Sequence, residues 1–171
     1  MKAGAGTPRS FVAALKNRLR DPEVLAQLEK ADAERDVSVH VAVMAEPHLS
    51  NVLEGSKTVE SRFATRRTPP FERIAPGDIV FLKRVGGPIV GMAIAGDVKN
   101  VCLDSVTWPE VHARSRELNV GEEFWRHKRN SRYATLMNIT SVYAVEPISI
   151  DKRDRRGWAI ISERVSQLSL L

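Results

Sequence analysis

The stretch Gly55-Ser56-Lys57-Thr58-Val59-Glu60-Ser61-Arg62 restricts the fold of this chain more than any other. Gly55 ends a short amphipathic segment, Pro47 to Glu54. It reads as a helix stop, because the residue just past a helix often needs positive φ and glycine takes it without strain. The residues after Gly55 read as a strand. Pleating puts Thr58, Glu60 and Arg62 on one face and Val59 on the other. A strand with one apolar position, and with an acid and a base on its polar face, is a costly core element. It either lines a cleft or forms an exposed edge on which Glu60 and Arg62 are solvated.

The rest of the chain supplies strands and short helices around it. Ser10 is placed to cap a helix through Phe11, Leu15 and Leu19. Asp21-Pro22 is a cap followed by proline at the first helical position, so a second helix carrying Leu25 and Leu28 starts there. Residues 1–36 thus read as a helical extension, either covering the main domain or serving as an arm for a homodimer. Val37 to Val43 alternates and is β-branched, which predicts a strand with His40 on its polar face. Phe63 to Arg73 reads as a loop holding Arg66 and Arg67, and Pro76-Gly77-Asp78 as a turn. Ile79 to Leu82 predicts a strand ending in Lys83-Arg84. Gly86-Gly87 is a hairpin turn, and Ile89 to Val98 is the return strand, with Gly91 and Gly96 marking bulges or barrel bends. Thr107 is placed to cap a helix, and Glu122 to Arg129 forms another. Tyr133 to Val145 is a long strand closed by Pro147, and Trp158 to Ile161 is the last. Strands alternating with short helices and bulge glycines fit a small barrel.

Gly55-x-Lys57-x-x-Glu60-x-Arg62, then Pro76-Gly77-Asp78-Ile79-Val80, then Arg156-Gly157-Trp158, resemble in order and spacing the signature of the ASCH domain. ASCH stands for activating signal cointegrator homology, a branch of the PUA-like superfamily. The resemblance runs from about Val37 to about Glu163. It implies an α+β fold: a small mixed β-barrel surrounded by helices, here with the extension 1–36, a domain 37–163 and a tail 164–171. It also implies a cleft facing RNA or a nucleobase-like ligand. Some small ASCH proteins are amidohydrolases acting on acetylated cytidine nucleosides, with a lysine, a threonine three residues on and a later glutamate. Lys57 matches the lysine and Glu117 the glutamate, while Glu60 stands at the threonine position. A carboxylate cannot replace a hydroxyl that must attack a carbonyl. A ribonuclease-type site with Lys57 and Glu60 as electrostatic stabiliser and acid/base is the other enzymatic reading.

The formal net charge is +5, which favours polyanionic partners. Basic residues gather at Arg62, Arg66 and Arg67, at Lys83 and Arg84, and from Arg126 to Arg132, with Lys128 and Arg132 among them. Trp125, Tyr133 and Trp158 are interleaved. Cations neutralise phosphates and aromatic faces stack bases. Each tryptophan reads equally as a core residue, and Tyr133, at a strand start, is the better cleft candidate. The expected partner is single-stranded RNA or a nucleotide, bound by Lys57, Glu60, Arg62, Arg66, Arg67, Lys83, Arg84, Lys128, Arg132 and Tyr133. A protein–protein adaptor with solvated basic loops is the alternative from another class. The single cysteine, Cys102, excludes an intrachain disulfide and reads as a small buried hydrophobe in a reducing, cytoplasmic setting. The four histidines lack zinc-type spacing, so neither a metal nor another cofactor is expected. No run approaches the ~20 apolar residues of a membrane span.

Overall fold

A computed structural model describes residues 8–34, 36–150 and 156–164. The charged loop around Lys152, the Gly/Ala-rich start and the tail beyond Arg164 lie outside the described residues. In chain order the elements are α1 (Pro8–Lys16), α2 (Pro22–Glu34), β1 (Val39–Met44), α3 (His48–Leu53), β2 (Val59–Ala64), β3 (Ile79–Arg84), β4 (Ile89–Cys102), α4 (Thr107–His112), α5 (Ser115–Leu118), α6 (Glu122–Lys128), β5 (Tyr133–Ile148) and β6 (Trp158–Ser162). The strands form one mixed sheet in the order β2-β5-β4-β3-β1-β6, in which only β1 and β3 run parallel. The sheet curls into a half-barrel.

The parallel pair is apolar on both faces, as strands buried on two sides must be. Val39, Val41, Ile79 and Phe81 face α1, α2 and the turn between them, which contribute Val12, Leu15, Leu19, Val24, Leu28 and Ala31 to the same core. Ala42, Met44, Val80 and Leu82 face the other way, against Leu49 and Val52 of α3, Met137 and Trp158. A third cluster packs α4 to α6 on the outer face of β2 and β5, through Val59, Val111, Leu118, Trp125 and Leu136. Val12 and Leu15 of α1 and Val24, Leu28 and Ala31 of α2 are thus buried within the chain.

Local signals hold in several places. The Asp21 carboxylate accepts from the N–H groups of Glu23 (2.9 Å) and Val24 (3.2 Å), capping α2 with Pro22 at its first position. Gly55, just past α3, has φ 78°. Register shifts in β4 fall next to Gly91 and Gly96, and they bend the long strand around the barrel.

Five expectations are corrected. Helix α1 starts at Pro8 rather than at a Ser10 cap. His40 is fully buried rather than on a polar face. Strand β4 runs on to Cys102, because Val101 and Cys102 pair with Ala134 and Tyr133 of β5. Alternation there turns Val101 inward and leaves Cys102 exposed, not buried. Strand β5 passes through Pro147 to Ile148. Beyond Ile139 it has no partner on its β2 side among the described residues, and an edge tolerates proline. At α4, Asp104 accepts from the Val106 and Thr107 N–H groups, while the Thr107 hydroxyl donates to the Cys102 carbonyl. Those amide hydrogen bonds, chiefly from Thr107, hold the Asp104 carboxyl below its ordinary pKa.

One buried network fixes the sheet centre. The Asp78 carboxylate, 1% exposed, accepts from the N–H groups of Ser38 and Ala75 (both 2.8 Å) and from Arg164 (2.6 and 2.5 Å). Trp158 Nε1 donates to His40 Nδ1 (3.1 Å), so the His40 proton sits on Nε2 and points to Asp78 Oδ2 (3.2 Å).

Leu28 is 1% exposed at the contact between the helices and the sheet. Leu28→Ala should lower unfolding stability by about 2–5 kcal/mol in urea titrations, as for other buried leucines. A loss below about 1 kcal/mol would show that α2 only lies on the surface.

Candidate functional site

The two ends of the sheet, β2 and β6, leave an open seam. The Arg62 side chain reaches across it. Its Nη1 donates to the Gly157 carbonyl (3.2 Å) and its Nη2 to the Val43 carbonyl (3.1 Å). The guanidinium also lies over the Trp158 ring, 5.2 Å from its centroid. A Cβ at Gly157 would come within 3.3 Å of Nη1, a tight contact that glycine avoids. Arg62 Nε is 2.9 Å from Glu60 Oε1 but makes no aligned hydrogen bond, so this contact is ionic.

Glu60 and Arg62 share a face of β2, and Val59 turns to the opposite cluster, as the alternation requires. Glu60 Oε2 is 3.9 Å from Lys57 Nζ, and Lys57 Nζ donates to the Leu118 carbonyl. The Lys57 and Glu60 side chains are only 2% and 9% exposed. Burial pushes the Lys57 ammonium below its usual pKa; Glu60 opposes that and Arg62 adds to it.

His48 joins this group, and sequence spacing gave no sign of it. It opens α3, its ring edge meets Phe124 (centroids 6.1 Å), and Lys57, Glu60, Arg62 and Lys128 are the charges that act on it. Its Nδ1 is sealed from solvent without a hydrogen-bond partner. Burial lowers its pKa below the ordinary 6.5, and the nearby cations, Lys57 first, lower it further against Glu60.

On the other side of Arg62 lies a cavity of about 190 Å³, walled by Phe71, Tyr133, Trp158, Pro69, Pro70 and Thr135. Phe71 and Tyr133 meet edge to face at 5.1 Å. Arg67 covers both rings, at 5.7 and 5.5 Å, and its pKa is raised chiefly by the Tyr133 hydroxyl and then by Glu72. A larger cavity of about 350 Å³ lies between α1, α2 and β1. We place the site at the seam, because none of the seam's charged or aromatic groups lines the larger cavity.

The remaining sequence candidates divide. Arg66 and Arg132 are exposed at the seam's outer end, beside Ala64 and Tyr133, with no side-chain partner among the described residues. Lys128 stands over Phe124 at 5.5 Å. Lys83 is buried at the β3–β4 hairpin, where Nζ donates to the carbonyls of Gly87 (2.5 Å) and Arg84 (3.3 Å). Arg84 pairs with Glu46. Glu117 is half exposed and pairs with Arg114 (2.6 Å); α5 reaches Lys57 through the neighbouring backbone carbonyl instead. Trp125 is a core residue whose Nε1 donates to Ser115 Oγ (2.8 Å).

Among solved structures, the ASCH protein of Zymomonas mobilis is similar over 80% of this chain and 94% of its own, with TM-score 0.58 and 15% identity. Two single-substitution variants of that protein match with TM-scores of 0.59 and 0.58, at 16% identity over 77% and 79% of this chain and 96% of theirs. No protein-family profile and no curated protein sequence matches the chain. At these identities the likeness shows the fold.

Two outcomes test the site's electrostatics. Glu60→Ala leaves Lys57 and Arg62 without their shared counter-charge and should cost about 3–5 kcal/mol in urea, whereas Lys57→Met should cost far less. Equal losses would mean that Glu60 is not the group holding the cations. For His48 the sign comes from its lowered pKa. The unfolded chain takes up the proton first, so stability is full above about pH 6.5, falls below it and levels off past the folded-state value. Denaturant midpoints from pH 8 to 5 should show this loss, and His48→Gln should remove it. An unchanged slope in the variant would assign the loss to other groups.

Proposed function

We propose that this chain, which has an ASCH-like fold, binds single-stranded RNA or a nucleotide along the seam between β2 and β6. One observation carries the reading. A small cavity with aromatic walls, Phe71, Tyr133 and Trp158, opens beside the cations Arg66, Arg67 and Arg132. Unstacked bases are held by such rings, and phosphates by such cations. Among the described residues no carboxylate neutralises Arg66 or Arg132, so they are available to meet a phosphate. A stacked duplex would not present a single base to a pocket of this size.

The other candidates take different parts. Arg62 forms a wall of the pocket and holds the seam, and Lys57 with Glu60 sets the charge behind it. Lys83 and Arg84 are engaged within the chain and contribute little to an interface. An amidohydrolase at this seam would lack its nucleophile, because Glu60 faces Lys57 and Arg62 where a hydroxyl is needed.

Single-stranded oligouridylate should bind at low salt and dissociate steeply as salt rises. Replacing Arg66 and Arg67 together by alanine should flatten the log–log salt slope by about 1.4, two phosphate contacts at ~0.7 each. Tyr133→Ala should cost about 1–3 kcal/mol of affinity. Binding that is absent at low salt, or indifferent to salt, would favour the protein adaptor instead. Cleavage of the oligonucleotide by the purified chain would make the seam an active site.

A further inference from the structure

Of the three tryptophans, two are buried and hydrogen-bonded: Trp125 Nε1 donates to Ser115 Oγ (2.8 Å) and Trp158 Nε1 to His40 Nδ1 (3.1 Å). Trp108 is different. It is half-buried, and its Nε1 has no partner among the described residues and is not among the sealed polar atoms. Its indole edge therefore reaches solvent. We propose that Trp108 is the stacking platform for a second base of the same strand, on the outer face of the sheet, with the phosphate between the two bases held at Arg132. The inference rests on the seam pocket holding the first base.

Topology brings the two places together. At one end of the sheet Ala64 pairs with Tyr133, and one step further in Phe63 and Val101 pair with Ala134. Ala64 and Tyr133 line the pocket, while Val101 and Ala134 belong to the outer cluster against which Trp108 packs. Phe63 belongs to both: it lines the pocket and meets Trp108 edge to face at 6.2 Å. Arg132 stands where the two faces join. Its N–H donates to the Ala64 carbonyl (2.9 Å), and its carbonyl accepts from the Leu103 N–H (2.8 Å), so its backbone extends the ladder by one step. Two residues before Ala134, its side chain falls on the outer face by alternation. A strand that leaves the pocket over this end of the sheet meets Arg132 and then Trp108.

The face suits a base rather than a phosphate. Phe63 and Trp125 meet Trp108 at interplanar angles of 71° and 82°, so neither ring lies flat on the indole. Val106, two residues away, is 69% exposed and adds apolar surface. The acids of this segment are Asp104, held by the Val106 and Thr107 N–H groups, and the exposed Glu110. They repel a phosphate over Trp108 but not an uncharged base. That leaves the phosphate to Arg132, which is exposed without a side-chain partner among the described residues, and the base to the indole.

The test compares the dinucleotide UpU, with two bases and one phosphodiester, against the 3′- and 5′-methyl phosphodiesters of uridine, with one base and the same charge. Each is titrated into the full chain, and the tryptophan indole N–H resonances report both affinity and place. UpU should bind about 5- to 150-fold tighter than either one-base ligand, the scale of one stacked base. The Trp108 N–H, which exchanges with solvent faster than the two bonded ones, should shift with UpU at concentrations where the one-base ligands leave it in place. Trp108→Ala should bring the UpU advantage to within about twofold of unity, and Trp108→Phe should retain part of it. The resonance measurement needs no variant, so it decides the question should Trp108→Ala unfold. A shift at Trp158 with UpU, but a still Trp108 and no advantage over the one-base ligands, overturns the second subsite and leaves the pocket reading intact. An advantage that survives Trp108→Ala does the same. If neither UpU nor a decamer of uridylate binds, both readings fall.

Discussion

A curled sheet with two free edges needs something to hold the edges at a fixed distance, and here that is the Arg62 guanidinium. It satisfies carbonyls of Val43 and Gly157, which belong to the far side of the seam, while its own backbone belongs to β2. Its planar fork satisfies both carbonyls while one face of the plane covers the Trp158 ring. The clasp imposes conditions on its neighbours. Gly157 leaves room for Nη1, the Trp158 ring lies beneath the guanidinium, and Glu60 supplies the balancing charge. Buried ion pairs of this kind add little net stability compared with an apolar replacement. Their effect is on geometry: they hold one width of seam, and with it one shape of pocket.

The clasp is supported from behind. Trp158 is oriented by His40, His40 by Asp78, and Asp78 by two backbone amides and Arg164. Every member of the chain from Asp78 to Trp158 is buried and hydrogen-bonded, so each partner limits the others. Arg62 then continues the series to Glu60 and Lys57. A path of polar contacts therefore runs from the start of the parallel strand pair to the open seam, through a core that is otherwise apolar.

The basic residues of this chain are of two kinds, and only burial and pairing separate them. Lys57, Arg62, Lys83 and Arg84 are tied to carbonyls or carboxylates and serve the fold. Arg66 and Arg132 are exposed without side-chain partners among the described residues, Lys128 lies on an aromatic ring, and Arg67 stands between the two kinds, over two rings and 3.5 Å from Glu72. Removing a paired cation strands its partner, whereas removing an unpaired one changes mainly the surface field. A positive net charge alone could not distinguish these groups.

What the sequence determined by itself was local. The glycine stop at Gly55, the Asp21-Pro22 cap, the alternation that sets Glu60 and Arg62 on one face of β2, and the bends near Gly91 and Gly96 depend on backbone conformation within a few residues. The order of its motifs also pointed to a barrel, and the sheet forms a half-barrel. Tertiary structure decided the rest. His48 meets Phe124 only because α3 and α6 come together. Cys102 is exposed because β4 outruns its hydrophobic pattern to stay paired with β5. Glu117 turns to Arg114 while the next carbonyl takes Lys57, and Lys83 closes its own hairpin. Alternation and turn chemistry act over one or two residues, so they can be read along the chain. The partner of a charge is set by which elements pack together, and that is fixed only when distant apolar faces meet.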